Sequence, residues 1–209
     1  MTELFKQRYK DLFSAIWRQG FSYQVFRTAV SFLLLAALFF AASMALPELR
    51  DFLVHQVLET LGGIGAIDDT GAISPLILFS NNVQACAMIM LYGFIPFLRM
   101  PAMTLGVNAM MLGVLGAWYA QQGVSPLIYL ALLLPHGVVE LPALVLAIAT
   151  GLFLCDQVTR MIRGREHTLS LSDCLLLLCR MLLLVLVPAL SAAALLEAYV
   201  TPLLMSILL

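Results

Sequence analysis

Residues 132–145 read LLLPHGVVELPALV, and place a histidine and a glutamate four residues apart in an otherwise lipid-soluble run. The apolar segment around them, residues 127–155, would measure about 43 Å as one unbroken helix. That exceeds the roughly 30 Å hydrocarbon core of a bilayer. Pro135 has no backbone N–H and suits the first turn of a helix. A break is therefore expected near Pro135, with a half-helix over residues 127–134, a second helix starting around Pro135, and a kink at Pro142. At about 100° per residue, His136, Glu140, Ala143, Ala147 and Gly151 fall on one stripe. Small residues at this spacing let helix backbones approach in lipid, so the stripe is expected to face protein.

Composition sets the same environment for the whole chain. Of 209 residues, 62% are hydrophobic and only 11% charged, with mean hydropathy +1.00. A water-soluble domain is typically about one-quarter charged, so this pattern specifies an all-α, polytopic membrane bundle. The net charge of −1 offers no basic footprint for nucleic acid. Cys86, Cys155, Cys174 and Cys179 lie in or beside apolar runs without a Cys-x-x-Cys pair, and read as small buried hydrophobes rather than a disulfide or zinc framework.

Five segments reach spanning length: residues 28–46, 76–95, 102–119, 127–155 and 174–196. The 199–209 tail, interrupted by Pro202, reads as a short terminal helix. Ser43-Met44-Ala45 resembles a signal-cleavage site, but the 27-residue lead and long apolar stretch favour a retained helix. Five spans put Lys6, Arg8, Lys10, Arg18, Arg27, Arg99, Arg160, Arg163 and Arg165 on one side. Arg50 lies on the other, amid Glu48, Asp51, Glu59, Asp68 and Asp69. By the positive-inside rule the N-terminus is cytoplasmic and the C-terminus outside. The whole chain reads as one membrane domain without internal repeats.

Two amphipathic pieces flank the first span. Residues 1–26 hold Phe5, Tyr9, Leu12, Phe13 and Ile16 at helical spacing beside Lys6, Arg8 and Lys10, which suits a cytoplasmic helix on the anionic inner leaflet. Residues 47–61 set Leu49, Phe52, Leu53, Val57 and Leu61 against Glu48, Asp51, His55 and Glu59. This is a surface helix outside, or a ledge for a partner.

Polar groups at membrane depth need partners. The candidates for one cluster are His136, Glu140, Asn81, Asn82 and Asn108, with Glu197 near an end. Asn81 and Asn82 open the second span at the depth of His136 and Glu140. An asparagine side chain is therefore expected within about 3 Å of His136 or Glu140, or one water away. The third span carries a small-residue stripe, Ala102, Gly106, Ala109, Gly113 and Ala117, that can serve a neighbouring helix or a second copy in a homodimer.

The Asn81-Asn82 pair, a Gly-rich span carrying Asn108, and Pro-His-Gly-x-x-Glu-Leu-Pro together resemble the stage II sporulation protein M family. The likeness covers residues 79–151 and is most specific over residues 135–143. Where that family commonly has Asn-Gly, this chain has Asn108-Ala109. The resemblance implies a multi-helix bacterial membrane protein. The family's namesake works with membrane-anchored peptidoglycan-degrading partners during engulfment, whereas many relatives occur where no spores form.

Three functions follow. The leading one is a scaffold or assembly partner of envelope machinery, in which the cluster stabilises a broken helix without a cofactor. Its partners would be the lipid bilayer and other envelope membrane proteins. The second is transport of a small solute, ion or lipid headgroup at His136 and Glu140, since interrupted helices build such sites. The third, an intramembrane hydrolase, lacks support. His136 and Glu140 could share one metal, but His55 and His167 lie in loops on opposite sides, and Ser80 has no nucleophile motif.

Overall fold

The computed structural model describes residues 20–62, 74–165 and 168–208. All regular structure among them is helical. The elements are α1 (Phe21–Ala45), α2 (Pro47–Gly62), α3 (Pro75–Leu91) with a 3₁₀ turn at Tyr92–Phe94, α4 (Met100–Gln121) and α5 (Pro126–Ile162). The remainder is α6 (Leu171–Met181), α7 (Val187–Leu195) and α8 (Thr201–Leu208). Five helices are long and apolar enough to cross a membrane: Phe21–Ala45, Pro75–Phe94, Met100–Gln121, Gly137–Ile162 and Leu171–Leu204. The protein is a polytopic membrane helix bundle.

Sequence sets the helix starts. Ser74 and Ser125 each precede a proline, and their hydroxyls accept from the backbone N–H of Ile77 (3.4 Å) and Ile128 (3.2 Å). Proline at the first position gives up an N–H that had no partner there. Ser170 caps α6 through the Asp173 N–H at 3.2 Å, and its own hydroxyl donates to the Asp173 carboxylate at 2.6 Å.

Packing fixes which spans run together. Gly113 of α4 lies so close to the Ala36 carbonyl and the Phe40 backbone of α1 that a Cβ would collide with both. Further along, the Gln121 amide reaches the Met44 sulfur at 3.9 Å. Both pairs share one offset, so α1 and α4 run parallel. In the same way Asn82 meets Glu140, Gly93 lies against Gly151, and the Cys155 thiol donates to the Ile95 carbonyl at 3.4 Å, so α3 and α5 are also parallel. Parallel odd spans and parallel even spans are what an alternating five-pass chain requires. The α5 stripe is buried at Ala143, Ala147 and Gly151, and forms the centre of the bundle.

Several boundaries differ from those expected. The backbone stays helical through Pro135 and Pro142, so the expected separation into two pieces becomes one helix with two missing hydrogen bonds. An isolated proline deletes one bond of the ladder, and the rest of a long buried helix holds it together. Helix α1 begins at Phe21, because Gly20 adopts the left-handed φ of 86° that starts it. Phe21 is buried edge-on against Phe153 at 5.6 Å. Residues 21–26 thus belong to the first span, and the amphipathic piece before them lies outside the described residues. The tail is no separate helix: α6, α7 and α8 join through two π-helical turns, Leu182–Leu186 and Leu196–Val200. Cys179 is exposed, unlike the other three cysteines.

Candidate functional site

Asn82 and Glu140 face each other across the α3–α5 contact. The Asn82 Nδ2 donates to Glu140 Oε1 at 3.0 Å, between residues 58 apart in sequence. Both side chains are half-buried. Parallel packing brings them together: the same offset of 58 residues that pairs Asn82 with Glu140 also sets Gly93 against Gly151.

Beside this bond is a cleft of about 250 Å³. Asn82, Cys86 and Tyr92 contribute from the second span, Thr104 and Asn108 from α4, Glu140 and Leu144 from α5, and Leu190 from α7. Asn108 reaches it from the neighbouring span, with its amide nitrogen donating to the Thr104 carbonyl one turn earlier at 2.9 Å. Thr28, Thr150 and Ser191 satisfy their hydroxyls in the same i−4 manner, at 2.7–2.8 Å. That pattern is the usual way for small polar side chains to exist in apolar helices. Glu140 differs, because it accepts from a side chain on another helix. A carboxylate has room for several donors, and the cleft lies where further ones would enter.

Glu197, in the second π-helical turn, lies within electrostatic reach of Glu140. Sequence reading left it at the margin by treating the tail as a separate helix. Its signal was present, a single carboxylate in an apolar run. Thr104 and Tyr92 were also missed as cleft residues. Thr104 sits one turn from Asn108 on the same face, which could have identified it.

Of the expected cluster, Asn82, Asn108 and Glu140 are brought to one cleft, and Asn81 is not among the lining residues. The helix passes through residue 136, but the His136 side chain lies outside the described residues. No group of three or more His, Cys, Asp or Glu side chains positioned for a metal occurs among the described residues.

A family model described as stage II sporulation protein M matches residues 25–202. This chain belongs to the stage II sporulation protein M family. The match runs from α1 to Pro202, so Asn82, Asn108, Glu140 and Glu197 all lie within the region common to this family. No curated protein and no solved structure gives a significant match.

Proposed function

We propose that this protein is a bacterial cytoplasmic-membrane protein that takes a small cation or cationic headgroup into the cleft beside Glu140. Its N-terminus is cytoplasmic and its C-terminus outside, on the strength of the one-sided basic residues. The observation carrying this reading is the cleft itself. A purely structural polar cluster would be closed and dry, whereas this one adjoins about 250 Å³ of space. The described charged residues that line it or reach it, Glu140 and Glu197, are acidic. Asn82 and Asn108 add neutral oxygen acceptors, a combination suited to an ammonium group or a hard cation.

A thermal-stability titration of the purified protein with sodium, potassium, choline and ethanolamine salts tests this. One of these cations should stabilise the wild type and lose its effect in Glu140→Gln, which preserves shape. If none stabilises, or if the variant responds equally, the cleft is not a cation site.

A second reading is favoured by the Asn82–Glu140 bond, which ties the second and fourth spans together. In it the protein is an assembly partner of envelope machinery, as family membership suggests, and the polar pair only fixes the shape presented to other membrane proteins. Glu140→Gln then keeps its cellular role while Glu140→Leu loses it. Loss in both variants supports cation binding.

A further inference from the structure

Just beyond Tyr92, the last cleft residue of the second span, residues 95–99 form a turn whose backbone is held in an unfavourable shape. Phe97 (φ 69°) and Arg99 (φ 45°) both occupy the left-handed region, and neither is glycine. Such conformations persist only where surrounding contacts enforce them, and they concentrate at sites of function. One stripe of α5 supplies the contacts here. Asp156, Thr159 and Arg163 recur at helical spacing and face the turn. The Thr159 hydroxyl accepts from the Phe97 N–H at 3.2 Å. Asp156 binds the Arg99 guanidinium at 3.4 Å. The Arg163 guanidinium lies 5.4 Å from the Phe97 ring centre.

Held in this way, the turn projects apolar side chains instead of burying them. Leu98 is 66% and Phe97 55% exposed, beside the exposed side chains of Arg99, Arg160, Arg163 and Arg165. Asp156 is the acidic side chain paired within the turn, and Asp173 lies nearby in sequence at the start of α6, engaged by Ser170. Among the described residues the balance around the turn is positive. The spanning part of α5 has 26 residues, about 39 Å of helix against a hydrocarbon core near 30 Å, so its last turns reach headgroup level.

We propose that the 95–99 turn and the Arg160–Arg163 end of α5 form a binding site for the headgroup of an anionic phospholipid. Leu98 and Phe97 enter the acyl boundary while the exposed guanidiniums hold the phosphate. Arginine matches phosphate oxygens with paired N–H donors, and a basic cluster beside a span attracts anionic lipid. Zwitterionic lipid offers the same phosphate, but carries its own ammonium against the four arginines. The site therefore distinguishes headgroups by net charge. None of the turn or arginine residues named here lines the cleft, and the site does not depend on what the cleft binds.

Phosphatidylglycerol with an acyl-chain fluorophore, titrated into the detergent-solubilised protein, measures the site, with identically labelled phosphatidylcholine as reference. The wild type should prefer phosphatidylglycerol. Each of Arg160→Gln and Arg163→Gln should reduce that preference about fivefold, corresponding to roughly 1 kcal/mol for each basic residue near the surface. Leu98→Ser, at an exposed position where folding is not at stake, should weaken both lipids alike. Equal affinity of the wild type for the two lipids overturns the proposal. So does wild-type preference in the Arg160→Gln/Arg163→Gln double variant, which would leave the patch to a protein partner.

Discussion

The Asn82 amide and the Glu140 carboxylate, 58 residues apart, meet at 3.0 Å and join the second and fourth spans through a side-chain hydrogen bond. In an apolar setting the loss of one partner costs more than the loss of both, because the remaining group stays buried without its bond. Asn82→Leu and Glu140→Leu should each destabilise the fold by about 1–3 kcal/mol. The double variant should cost clearly less than their sum. Unfolding in mixed detergent, followed by circular dichroism, provides the cycle. Additive losses would mean that the two side chains do not support each other.

Orientation rests on the basic residues, and labelling reads it directly. In a Cys179→Ser background, cysteines introduced at positions 65–72 should react with an impermeant thiol reagent added to intact cells. Cysteines at 160, 163 and 165 should react only after the membrane is opened. The reverse pattern would invert the topology.

The small-residue stripe of α4 finds its partner within the chain. Ala109, Gly113 and Ala117 are buried, and Gly113 touches the α1 backbone at Ala36 and Phe40. Gly113→Leu should therefore disrupt folding, at a cost above the roughly 1–3 kcal/mol typical of overpacking, because backbone rather than a flexible side chain stands in the way. Gly106, on the same stripe, has open space where a Cβ would go. Gly106→Ala should be neutral or stabilising by up to about 1 kcal/mol through helix propensity. Size-exclusion chromatography and thermal melting of the two variants separate these outcomes. Intact folding of Gly113→Leu would contradict the α1–α4 packing.

The number of spans and the meeting of Asn82 with Glu140 were legible because both depend on position along apolar segments. Hydropathy fixes depth, and helical spacing fixes direction. What escaped was continuity. Pro135 read as a break and Pro142 as a kink, yet a proline removes only one ladder bond, and packing of Ala143, Ala147 and Gly151 keeps the helix whole. Pro202 misled in the same way, cutting Glu197 off from the bundle it joins. The strain at Phe97 and Arg99 left no mark in the sequence, because neither residue type favours a positive φ. Only the tertiary contacts of Thr159, Asp156 and Arg163 impose it.

The last membrane helix continues past two prolines by widening just before each. The π-helical turns Leu182–Leu186 and Leu196–Val200 end two residues ahead of Pro188 and Pro202, so turn and proline recur together fourteen residues apart. Neither proline can donate to the carbonyl four residues back, and its ring would press on that carbonyl in a regular α-helix. A π turn takes up one additional residue and opens the backbone at that point. Each turn thus behaves as a one-residue insertion. Deleting Leu184, inside the first, should return the backbone towards α-helical pitch while the residues beyond it keep their faces, with Leu190 still at the cleft. Deleting Ala192, in the regular α7 segment, should instead turn everything beyond it by about 100° and carry Glu197 away from Glu140. Folded, monodisperse yield and melting temperature should survive the first deletion and fall sharply in the second. Equal damage from both would mean that the wide turn is required for the fold itself, rather than being a local accommodation of Pro188.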